Sequence, residues 1–153
     1  MNYSVELKIT LYKKVLSLIS ERRKSIQSEI DKLSISASAE VKSSMGDKYE
    51  TSREMINLEK GKLAEQLAFT EKMLATLKNI DPENIANVGE LGALVITTSG
   101  NYFLAVALGK ISLKGLEFYV VSPVSPIGQQ LLNKKIGQEL NFRATKAKIT
   151  SIL

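Results

Sequence analysis

Asp47 and Glu50 are the residues of this chain best suited to do chemistry. They lie in the stretch Ser43-Ser44-Met45-Gly46-Asp47-Lys48-Tyr49-Glu50-Thr51. On a helix, side chains three apart share a face. A pair of carboxylates offers the hard oxygen donors that Mg²⁺ prefers, and that ion often takes only one or two protein carboxylates, with waters and phosphate completing its shell. The same spacing also makes a capping box, with Asp47 as N-cap accepting the Glu50 N–H and the Glu50 side chain reaching back to the Asp47 N–H. Acids at a helix N-terminus are favoured by the macrodipole in either case. The metal reading needs a partner, because two acids at a turn hold Mg²⁺ poorly alone. Beside them Lys48 offers a cation, and Tyr49 a ring that could stack on a base or pack over the turn.

Composition removes most other chemistry. With no cysteine and no histidine, thiol nucleophiles, disulfides, Cys/His zinc sites, serine–histidine triads and histidine acid–base catalysis are all excluded. No convergent acid, base and nucleophile can be drawn, so an enzyme acting alone on a small-molecule substrate is not expected. The net charge of +5 is mild; cut at about Ile80, the chain carries 14 Lys/Arg against 11 Asp/Glu, then 7 against 5. Autonomous tight binding to nucleic acid is not implied by that balance. The N-terminus has no basic region followed by an apolar core, and no apolar run approaches the roughly 20 residues that span a bilayer. The expected location is the cytoplasm, with no membrane partner.

Two long helical patterns must position the acids. From about Val5 to Ser44, Leu11, Val15, Leu18/Ile19, Arg22, Ile26, Ile30, Leu33 and Ala37 recur three and four apart, which predicts one apolar stripe. From about Lys48 to Asn79, Ile56, Lys60, Leu63, Leu67, Thr70, Leu74 and Leu77 form a heptad seam with two polar positions. Two single-striped helices bury their stripes on each other, so the break at Met45-Gly46 makes an antiparallel hairpin. Arms of roughly 35 residues reach on the order of 50 Å. Serines at 34, 36, 38, 43 and 44 thin the stripe towards the turn. Gly61 interrupts the second arm without an evident reason. Basic residues of the first arm (Lys13, Lys14, Arg22, Arg23, Lys24) could face a partner or simply solvent, with pairs such as Glu29–Lys32.

Pro82 marks a helix stop and a linker over 80–88. Beyond it the pattern is strand-like. Strands are predicted over Leu91–Thr98, Tyr102–Leu108 and Leu116–Ser122, with Ser99-Gly100-Asn101 as a turn and 109–115 as a connection. Phe103, Phe118 and Tyr119 read as core or edge residues. Ser125 as N-cap and Pro126 at the first position start a short helix that Gly128 to Leu132 continues. Glu139–Arg143 and Lys148–Leu153 complete the sheet. The fold class is α+β: a helical hairpin over 1–79 with an acidic tip near 45–51, a linker, and a small antiparallel β domain with one short helix over 89–153.

The order of these features resembles the Gre-type bacterial transcript cleavage factors. In that family the tip reads Gly-Asp-Leu-x-Glu-Asn-x-Glu-Tyr, and Gly46, Asp47 and Glu50 fall on its Gly, Asp and first Glu. A second segment, Ser125-Pro126-Ile127-Gly128-x-x-Leu131-Leu132-Asn133-Lys134-Lys135-x-Gly137, is similar to the family's Ser-Pro-Ile-Gly/Ala-x-x-Leu-Leu-Gly-Lys-x-x-Gly and is the more specific match. The resemblance implies an FKBP-like C-terminal domain that docks at the rim of the RNA polymerase secondary channel. It implies a hairpin that enters the channel, where Asp47 and Glu50 hold a Mg²⁺ shared with the polymerase. The polymerase then hydrolyses backtracked RNA near its 3′ end. The chain would be an accessory factor rather than an enzyme. Its expected partners are bacterial RNA polymerase and, through it, the nascent RNA 3′ end. Gly46, Lys48, Tyr49, Ser125, Pro126, Ile127 and Gly128 would serve partner binding.

The tip departs from the family at Lys48, Thr51, Arg53 and Glu54, where Leu, Asn, Glu and Tyr are usual. Lys48 and Arg53 can pair with the acids or meet RNA phosphates. Those departures suit a second expectation, a regulator that occupies the channel without stimulating cleavage. A third is a structural coiled-coil adaptor in which Asp47 and Glu50 are only a cap. Asn133 replaces a family Gly, and Asn tolerates the left-handed conformation.

Overall fold

The structure, a computed structural model, describes residues 3–43 and 47–153, and the side-chain surroundings of 3–37 and 50–153. Helices α1 (Val5–Ser43) and α2 (Asp47–Lys78) realise the two periodic patterns. Contacts divide the chain into two units, Met1–Leu16 with Ala75–Leu153, and Ser17–Leu74. The division crosses both long helices.

Within Ser17–Leu74 the helices run antiparallel. Arg23 on α1 meets Glu71 on α2 at 3.4 Å, and Ile19, Ile26, Leu63, Thr70 and Met73 are buried. Thr70, a polar seam position, satisfies its hydroxyl on the Gln66 carbonyl at 2.8 Å, so its burial leaves no unmet donor. Ile30, Leu33 and Ile56 are only half-buried, as the thinning stripe implies. Leu18 is exposed, and Ile19 alone of that pair occupies the seam.

In the other unit six strands follow: β1 (Leu94–Thr97), β2 (Asn101–Leu104), β3 (Gly109–Leu113), β4 (Leu116–Val121), β5 (Glu139–Phe142) and β6 (Thr145–Ile152), with α3 (Pro126–Leu131) between β4 and β5. Their order in the sheet is β3-β4-β2-β1-β6-β5. All pairs are antiparallel except β2–β4, where Tyr102, Phe103 and Leu104 lie beside Tyr119, Val120 and Val121 in parallel. The architecture is α+β, a long helical pair followed by a six-stranded sheet and a short helix.

Two expectations change here. The stretch 109–115 is a strand and its turn, not a connection: Leu113 pairs with Leu116, leaving Lys114-Gly115 as a two-residue turn with both φ positive. Strand β6 begins at Thr145, three residues earlier than expected, because Arg143-Ala144 makes a second such turn (φ 49° and 62°) between Phe142 and Thr145.

One sheet face packs on α3, joining Ala93, Val95, Leu104, Leu140, Ala147, Ile149 and Ile152 to Ile127 and Leu131. On the alternate face Leu94, Ile96, Phe103, Phe118 and Val120 are buried too. Lys14 of α1 donates to the Ser112 carbonyl of edge strand β3. Burial on both faces is why β1 reads as an unbroken apolar run instead of an alternating one.

Candidate functional site

Glu50 sits in the first turn of α2, exposed to solvent. Asp47 is the first residue of that helix, so the two positions fall within one helical turn of the chain. Gly46 lies outside the described residues, as do the side chains of Asp47, Lys48 and Tyr49. Arg53 and Glu54 are exposed one turn further along. Among the described residues no group of three or more Asp, Glu, His or Cys gathers as a metal site.

The segment 125–137 can be built residue by residue. Ser125 caps α3: its Oγ accepts from Gly128 N at 3.1 Å and donates to the Ser122 carbonyl at 2.6 Å. Pro126, at the first helical position, needs no N–H partner there and is exposed. Ile127 and Leu131 enter the core. Gly128 lies so close to the preceding chain that a Cβ would stand 2.0 Å from the Ser122 carbonyl oxygen. Asn133 is left-handed at φ 63° and Gly137 at φ 90°, and Asn133 N and Lys134 O pair with the Gly89 backbone at 2.7 and 2.9 Å. Ser125, Ile127 and Gly128 are thereby committed to the fold. The surface left to a partner is Val124, 78% exposed, with Pro126, Gln129 and Gln130.

Lys8 was not singled out from sequence, although it stands three residues before Leu11 on the apolar stripe. It is 1% exposed, and its ammonium donates to the Asn84 carbonyl at 2.7 Å and the Leu153 carbonyl at 3.0 Å. Burial lowers its pKa from the ordinary lysine value, and Asp81 and Glu90 oppose that shift. Lys8 lines a cavity of about 210 Å³ with Asn79, Asp81, Asn84 and Glu90. The amine thus ties α1 to the post-helical segment and to the chain after β6.

A cut at residue 90 shows a charge asymmetry that the cut at Ile80 hides. Residues 1–90 hold 14 Lys/Arg and 14 Asp/Glu, whereas 91–153 hold 7 and 2, so the whole +5 resides in the latter. One of those two acids, Glu117, is paired with Lys110 at 3.0 Å. Nearby, Tyr119 stacks on Tyr102 with centroids 5.6 Å apart, while Phe103 and Phe118 are fully buried. No protein-family model, curated protein or solved structure matches the chain. No helix among the described residues is long and apolar enough to cross a membrane.

Proposed function

We propose that this chain is a Gre-like accessory factor of bacterial RNA polymerase, acting in the cytoplasm. Its hairpin enters the secondary channel, and its tip promotes Mg²⁺-dependent cleavage of backtracked RNA. The observation that carries the reading is the start of α2, where Asp47 and Glu50 share a turn and Glu50 is held in solvent. In this role the two carboxylates hold the ion from one side, and polymerase and RNA supply the other ligands. Mg²⁺ there would stabilise the attacking and leaving oxygens of the phosphodiester. Lys48 and Arg53 lie within two turns of the acids and are suited to RNA phosphates. The excess positive charge of residues 91–153 suits docking against an acidic rim, with Val124 and Pro126 at its exposed apolar point.

The test is RNA cleavage in a reconstituted backtracked elongation complex, comparing the wild type with Asp47→Asn/Glu50→Gln. Cleavage by the wild type that disappears in the double variant supports the ligand role. A wild type that competes for the channel without cleaving replaces this reading with the regulator, which the cation Lys48 beside the acids favours. Absence of any polymerase binding leaves the acids as a helix cap in a coiled-coil adaptor.

A further inference from the structure

Helix α2 carries a second heptad series that the hairpin itself does not use. Beside the seam through Leu63 and Thr70, positions 55, 58, 62, 65 and 69 recur three and four apart and hold Met55, Leu58, Lys62, Glu65 and Phe69. All five are exposed, the three large apolar ones by 68%, 64% and 57%. Isolated exposed apolar residues are ordinary, but a register of them along one helix marks a surface that a second helix can cover. Beside Phe69 and Glu65 opens a groove of about 440 Å³, lined also by Arg22, Ile26, Gln66 and Thr70.

We infer that this face binds a second copy of the chain, α2 against α2, antiparallel about a two-fold axis, in a form that must dissociate before the hairpin can take the channel role proposed above. Four of the five positions are complementary to themselves in that direction, and Met55 falls opposite Lys72. With the axis between Lys62 and Glu65, Leu58 of one copy faces Phe69 of the other, and Lys62 faces Glu65. Both contacts occur twice, as an isologous interface demands. A parallel pairing would put Lys62 on Lys62 and Glu65 on Glu65, so charge selects the antiparallel orientation. Leu58 inserts beside Phe69, where the groove offers a hole for it. Gly61 lies between Leu58 and Glu65 on the helix surface, and a Cβ there would meet nothing within 4 Å in the single chain. A neighbouring backbone can therefore approach closely at that point.

Analytical ultracentrifugation of the full chain from roughly 1 µM to 1 mM tests this. A concentration-dependent monomer–dimer equilibrium is expected. Lys62→Glu or Glu65→Lys alone should weaken it about tenfold by creating two like-charge contacts. The double swap Lys62→Glu/Glu65→Lys should restore it, which a loss of folding would not do. Phe69→Arg should abolish it by setting a charge against Leu58 of the partner copy, with helicity retained by circular dichroism. Because the chain has no cysteine, Leu58→Cys/Phe69→Cys should cross-link between copies while Leu58→Cys alone should not. A monomer throughout the range overturns the inference. So does a dimer indifferent to the single swaps, or efficient cross-linking by Leu58→Cys alone.

Discussion

The same substitution should have opposite signs at two glycines of this chain, both inside helices. At Gly61 an added Cβ meets nothing within 4 Å, so Gly61→Ala should gain helix propensity worth about 1 kcal/mol. At Gly128 the added Cβ would stand 2.0 Å from the Ser122 carbonyl oxygen, 2.9 Å from Pro123 Cα and 2.9 Å from Ser125 Oγ. The first two are backbone atoms, and the Ser122 carbonyl is held by Ser125 N at 3.0 Å and Ser125 Oγ at 2.6 Å. Overpacking of this kind costs about 1–3 kcal/mol. Displacing the Ser125 cap adds about 1 kcal/mol, against a propensity gain of about 1 kcal/mol. Gly128→Ala should therefore destabilise by about 1–3 kcal/mol. Urea unfolding at low protein concentration, followed by far-UV circular dichroism, reads both variants. A neutral or stabilising Gly128→Ala would refute the close-approach argument, and a destabilising Gly61→Ala would show that the α2 face is already occupied in the monomer.

Ser125→Ala should cost about 1 kcal/mol in the same unfolding assay, as the loss of a cap does. Asn133→Val should cost about 1–2 kcal/mol and Asn133→Gly little or nothing, because the backbone there is left-handed. For Lys8, burial holds the folded pKa below the ordinary lysine value. The folded state releases that proton first, so the Lys8 contribution to stability is fully present above about 10.4, the unfolded value. It is lost as pH falls through the folded pKa. The stability difference between wild type and Lys8→Met should move in favour of wild type as pH rises through that window; a flat difference would refute it. Asp47→Asn/Glu50→Gln should leave folding and channel competition nearly unchanged while removing cleavage, read as RNA product from a backtracked complex.

Where local chemistry decides structure, the sequence was sufficient. The three- and four-residue spacing of Leu11, Val15, Ile19 and Ile26 marked α1, because a helix must bury its own stripe. Ser125-Pro126 marked the start of α3, since that cap depends on bonds made within a few residues. What needed distant partners was not legible. Strand β3 was hidden because Gly109 and Lys114-Gly115 signal turns, while its strand character comes from pairing with β4. The parallel β2–β4 pair is set by where the chain returns to the sheet. Arg143-Ala144 turns without glycine or asparagine because the β5–β6 register requires it. Nothing in its local spacing separates Lys8 from the other lysines of α1. Its burial is decided by the Asn84 and Leu153 carbonyls, 76 and 145 residues away. Spacing alone put Asp47 and Glu50 together; only the folding of α1 back along α2 sets their turn at the end of an antiparallel pair, because a stripe too apolar for water is buried only where a second stripe meets it.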